Sequence, residues 1–170
     1  MFTRTPLLLT LLLLLTTALS LPTIHNRAST CSANTDKLVS GINKNIDLQK
    51  QEQSQLKVVK KMVDAGNVDQ SDFDAAKSKF VDIVNAGITQ RKANQELADG
   101  NKAADGLATV AKAQSAELKA VKGLTGDKDT DDATFSSLSD MFAGGIAQNQ
   151  KNAKAAANGC TDSDADADDN

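Results

Sequence analysis

Asp127, Asp129 and Asp131 stand at alternate positions, and carboxylates spaced two apart on a loop can converge on one hard cation. The rest of a calcium loop is missing. Asp132 stands where the turn glycine belongs, and Leu138 occupies the position of the bidentate glutamate. The segment Asp127 to Asp132 is therefore expected to be a solvated inter-helix loop whose acids cap the helix that follows. Its three aspartates are candidates for weak divalent-ion association and no more. The alternating acids of Asp162 to Asp169 read as a disordered, solubilising tail.

Covalent chemistry is equally sparse. The chain has two cysteines, one histidine, no Trp and no Tyr. A catalytic centre needs a nucleophile, a base or a metal held in a cleft, and what remains here is carboxylates, lysines and hydroxyls with no long loop to build one. His25 falls in a short leader ahead of Cys31, and a lone imidazole there makes no metal site. No enzyme activity and no cofactor are expected.

The apolar end of the inventory is more specific. Phe73, Phe80, Phe135 and Phe142, with Met62 and Leu138, are the bulky residues that one end of a helical domain could gather into core or open into a pocket for an apolar ligand. Gly87, Gly144 and Gly145 lie inside helical stripes, where they cost helix stability and permit close approach of neighbours.

These residues need elements to hold them. Arg4 precedes an apolar run, Leu7 to Leu15 broken by Thr10, and small residues at Ala18 and Ser20 suit a signal peptidase, so residues 1–20 read as a secretory signal peptide. The run is too short to span a bilayer comfortably. Residues 21–30 are expected to be disordered, 31–160 to form one helical domain, and 161–170 to be a disordered acidic tail. With 19 Lys and Arg against 22 Asp and Glu, and five of those acids in the last nine residues, the body is near neutral. That balance, with no Trp or Tyr to stack on bases or sugars, argues against nucleic acid as a partner.

Apolar residues recur at helical spacing in four stretches. Leu38, Ile42, Ile46, Leu56, Val59 and Val63 mark the first, starting near Asn34 and ending before Gly66; its middle, Gln49 to Gln55, is polar all round and is expected to pack poorly. Phe73, Ala76, Phe80, Ile83, Val84 and Ile88 mark a second that runs to about Ala98. Leu107, Val110, Leu118, Val121 and Leu124 mark the third. Phe135, Leu138, Met141, Phe142 and Ile146 begin the fourth, which Gly159 closes.

Four helices joined by short loops predict an all-α, antiparallel up-down-up-down bundle. An even helix count returns the chain to the end where it started, where Cys31 and Cys160 would meet. Two cysteines in an exported chain favour a disulfide, and one closing about 130 residues contributes on the order of 4 to 5 kcal/mol in the chain-entropy picture. The phenylalanines fall at the opposite pole.

Thr30-Cys31, the run Ile42-Asn-Lys-Asn-Ile46 with Gln49-Lys-Gln-Glu-Gln53, the segment Gly106-Leu-Ala-Thr-Val-Ala-Lys-Ala-Gln114, and the closing Asn158-Gly-Cys160 resemble small secreted proteins of filamentous fungi. More distantly the organisation is similar to fungal hydrophobic surface-binding and cell-wall mannoproteins, although the cysteine pair and the Gln-rich helix depart from that pattern. The resemblance implies a helical domain that binds lipids or apolar surfaces. The expected function is thus a secreted, non-enzymatic, monomeric binding protein for a fatty acid, sterol or hydrophobic surface. The alternative is an effector or cell-wall protein acting on a host or wall component through its polar helix faces.

Overall fold

The computed structural model describes residues 27–159, with side chains described from Asn34 onward. Helix α1 spans Arg27–Asp64, α2 Gln70–Glu96, α3 Ala104–Gly123 and α4 Lys128–Ala157, and the described residues contain no strand. The signal peptide, His25, Cys160 and the acidic tail lie outside the described residues, as does the side chain of Cys31, so the expected disulfide does too. The segment expected to be disordered, 21–30, is outside them up to residue 26; from Arg27 onward it belongs to α1.

A single spacing rule explains why these stretches pack. Buried positions step by four and three along most of each helix: Leu38, Ile42, Asn45, Gln49, Glu52, Leu56, Val59 and Val63 on α1, with Ile46 and Gln55 beside that stripe, and Asp131, Phe135, Leu138, Phe142, Gly145, Asn149, Asn152 and Ala156 on α4. A 3.5-residue repeat keeps one stripe facing the partner helices over the whole length. Helix α1 packs on α2 and α4, and α3 on the same two. Across the helices Asn45 donates from Nδ2 to Gly87 O at 2.9 Å and Gln55 from Nε2 to Ala76 O at 3.0 Å, while Asn149 and Lys128 of α4 meet Asn45 and Asp64 of α1.

Apolar residues fill both ends of this stripe. One cluster holds Phe73, Phe80, Phe135, Phe142, Leu138, Leu56, Val59 and Val121; the other holds Leu38, Ile42, Ile46, Leu107, Ala98, Ala103 and Ala156. The first is the bulky pole expected from the sequence and the second the alanine-rich one.

Two local expectations change. The acidic segment Asp127 to Asp132 is not a loop. Asp127 is the N-cap of α4 and accepts from Thr130 N–H at 2.8 Å, and Asp129 and Asp131 occupy the first turn, where the positive end of the helix dipole favours them. The hydrogen bonds from Thr130 hold the Asp127 carboxyl below its usual range. Replacing Asp127 with alanine is expected to lower the urea unfolding midpoint at neutral pH, with loss of that cap as the cause. The Gln49 to Gln55 stretch, expected to pack poorly, instead contributes Gln49, Glu52 and Gln55 to the interior.

Gly126, with φ +88°, sits in the left-handed region in the α3–α4 turn, and a Cβ there would stand 3.3 Å from the Phe73 ring. The positive φ favours glycine, and any larger residue would also press on the Phe73 ring.

Candidate functional site

The stripe is polar at mid-height on all four helices. Asn45, Gln49 and Glu52 of α1, Gly87, Arg91 and Asn94 of α2, Gln114 and Glu117 of α3, and Gly145, Asn149 and Asn152 of α4 form a belt between the two apolar clusters. Gln49, Glu52, Gln114 and Glu117 are fully buried, at 0 % exposure.

Part of the belt is well connected. Asn149 donates from Nδ2 to Gln49 Oε1 at 3.0 Å and to Asn45 Oδ1 at 3.2 Å, and receives Asn152 Nδ2 on its own oxygen at 3.3 Å. Arg91 donates from Nε to Gln114 Oε1 at 3.2 Å and from Nη1 to Gln95 Oε1 at 2.6 Å. These bonds use the oxygens of both glutamine amides and leave their nitrogens unpartnered beside the glycines of the facing helices. The Cβ position of Gly87 lies 2.9 Å from Glu52 Oε1 and 3.2 Å from Gln114 Nε2; that of Gly145 faces Gln49 Nε2 and lies 3.7 Å from Glu117 Oε1. The two glycines are therefore the space into which the four longer side chains extend.

The centre is left unsatisfied. Among the described residues, Gln49 Nε2, Gln114 Nε2, Asn94 Nδ2 and all four carboxylate oxygens of Glu52 and Glu117 are buried without a hydrogen-bond partner. Leaving such groups unmade costs roughly 1 to 3 kcal/mol each, more when charged. Burial pushes the Glu52 carboxyl up to about 9, with the negative charge of Glu117 adding to it, and burial alone pushes Glu117 up to about 7. Desolvation also lowers Arg91 from its ordinary value.

The residues singled out from the sequence lie on either side of this belt. Phe73, Phe80, Phe135, Phe142 and Leu138 come together in one cluster, each at 0 or 1 % exposure, and the Phe80 and Phe142 rings stand 5.8 Å apart at 51°. Met62 is half-buried and outside that cluster. A groove of 580 Å³ between α1 and α4 reaches this pole at Leu56 and Phe135, with Lys57, Lys60, Ser139 and Asp140 among its lining. Asp127, Asp129 and Asp131 do not converge on a common point: Asp127 caps the helix and Asp131 turns inward. Among the described residues no group of three or more His, Cys, Asp or Glu side chains is placed to hold a metal, and no helix is long and apolar enough to cross a membrane.

No known protein family, curated protein or solved structure matches the chain.

The belt is invisible to apolar periodicity, because its core positions are polar. An internal repeat is the signal that finds it. Gly41-Ile42, Gln49, Glu52 and Leu56 of α1 recur at the same spacing as Gly106-Leu107, Gln114, Glu117 and Val121 of α3. Gly87-Ile88, Gln90, Asn94 and Ala98 recur as Gly145-Ile146, Gln148, Asn152 and Ala156. The contacts repeat as well. Gly41 faces Asn94 and Gln90 as Gly106 faces Asn152 and Gln148, and in each pair the glutamine Nε2 donates to the asparagine Oδ1, at 3.0 and 2.8 Å.

Proposed function

We propose that the chain is a secreted, non-enzymatic binding protein for an apolar molecule that carries one small polar group. Supporting this reading is the run of unpartnered donors and acceptors buried in the belt, directly beside the phenylalanine-rich cluster. Bundle interiors are common ligand sites, and buried polar groups are ordinarily satisfied by protein, water or ligand.

The chemistry of those groups selects among ligands. A hydroxyl both donates and accepts, so it can bond a carboxylate oxygen and a glutamine Nε2 together. A fatty-acid carboxylate would bring an uncompensated negative charge into the buried layer of Glu52 and Glu117. A sterol or long-chain alcohol therefore suits the belt better than a fatty acid at neutral pH. In the same reading the helices run up-down-up-down, supported by the pairing of Asn45 with Gly87, Arg91 with Gln114 and Asn149 with Asn45, and a Cys31–Cys160 bond closes the alanine-rich pole.

Thermal unfolding of the secreted protein against a panel of sterols, fatty alcohols and fatty acids is the test. A hydroxyl ligand at a hundred times its Kd should stabilise by about 2.7 kcal/mol, a rise of several degrees in midpoint. No shift with any member of the panel, and no lipid retained in native mass spectrometry, would sink the reading. The same spectrum reports the two-proton loss expected of the disulfide.

A further inference from the structure

Glu52 and Glu117 occupy the core stripes of α1 and α3 at mid-height, and the other two helices contribute glycine where the four side chains extend. Among the described residues no cation pairs with them. On α2 the charged neighbour is Arg91, whose hydrogen bonds go to Gln114 and Gln95. Helix α3 supplies Glu117 and the neutral Gln114 opposite Glu52, and α1 supplies Glu52 and the neutral Gln49 opposite Glu117. Helix α4 meets Glu117 with Gly145 and Gln49 with Asn149, neither of which titrates. Two ionised carboxylates sealed in this layer would carry their full desolvation cost with mutual repulsion added.

We propose that Glu52 and Glu117 form a proton-operated latch at the waist of the bundle, closed while the carboxyls hold protons and loosened when both ionise. Protonation changes what each group can do. A carboxyl gains an O–H donor and loses its charge, so the layer becomes a neutral set of donors and acceptors that the surrounding helices can enclose. Ionisation leaves two negative charges in a layer whose Arg91 hydrogen-bonds Gln114 and Gln95 instead, and opening to water relieves them. The latch needs no ligand and stands whether or not the belt binds one.

The direction of the pH effect follows from proton counting. In the unfolded chain both groups ionise near their ordinary 4.5, while in the fold they keep protons to about 9 and about 7. The folded state thus binds more protons than the unfolded state between those limits, and stability must fall as pH rises through that window. Below about 4.5 the contribution is fully present.

Thermal midpoints of the wild-type chain and of Glu52→Gln/Glu117→Gln, measured from pH 5 to pH 9, read the latch directly. The wild-type midpoint is expected to fall by on the order of 10 °C across that range. The double variant, which keeps the shape but cannot ionise, should lose most of that slope and be the more stable of the two at pH 9. Parallel profiles for the two proteins would overturn the proposal. Should the double variant fail to fold, side-chain carboxyl NMR titration of the wild type decides. Two glutamates holding protons above pH 6 support the latch, and all glutamates titrating below pH 5 refute it.

Discussion

Replacing Phe142 with alanine is expected to lower the unfolding free energy by about 3 to 5 kcal/mol, the largest effect of any single truncation considered. Phe142 is fully buried, its ring stands 5.8 Å from that of Phe80, and it belongs to the cluster that also holds Phe73, Phe135 and Leu138. Removing the ring forfeits its transfer free energy and leaves a cavity that helices anchored on both sides can only partly collapse. Urea unfolding of the purified variant gives the number. A loss below about 1 kcal/mol would mean that this pole is loosely packed and has room for a guest, so the same measurement bears on where an apolar ligand would sit.

Asp131→Ala should be the second most damaging change, at about 2 to 4 kcal/mol. Its carboxylate is 1 % exposed and gathers the α3–α4 turn: Thr125 N–H donates to both oxygens at 3.0 Å, the Thr125 hydroxyl to one at 3.1 Å, and Gly126 N–H at 2.8 Å. Alanine strands those donors in a turn that already depends on a left-handed glycine. Asp131→Asn keeps one acceptor oxygen and should recover part of the loss. An alanine variant as stable as the wild type would show that water replaces the carboxylate at no cost. A residue whose spacing suggests cation binding thus serves to fold the chain on itself, because the N–H groups of a tight turn compete for the same oxygens a cation would use.

The four helices were legible because apolar residues recur at three- and four-residue steps, and the two poles because phenylalanine and alanine are unevenly shared along the chain. The polar belt was not legible by that route. Gln49, Glu52, Gln114, Glu117 and Asn149 occupy core positions of the same stripe, so a search for apolar faces sees a gap where the packing is in fact continuous. What carries through the gap is spacing, four then three, without regard to residue type. The start of α4 is obscured for a related reason. A run of acids looks like solvated loop, yet the first turn of a helix is where carboxylates gain most from the dipole and from unpaired N–H groups. The exposed cluster of Lys60, Asp64, Lys128 and Asp132, in which Lys60 and Lys128 hold the Asp64 carboxyl below its usual range, lies across α1 and α4. Pairs so open to solvent add little to stability.

The repeated glycine and amide positions also bear on how the helices find their alignment. Leucine, valine and alanine layers are interchangeable, so two apolar helices can slide past each other by a turn, about 5.4 Å, and still bury their stripes. The belt removes that freedom. A slip of α4 by one turn would carry Asn149 away from Gln49 and Asn45, pull Gly145 from the space those longer side chains require, and drive an amide into an apolar layer. Each half of the duplicated pattern enforces the same match, Gly41 with Asn94 and Gly106 with Asn152. The waist of the bundle therefore works as a key that admits one register of the four helices, at the expense of the stability an all-apolar core would have given.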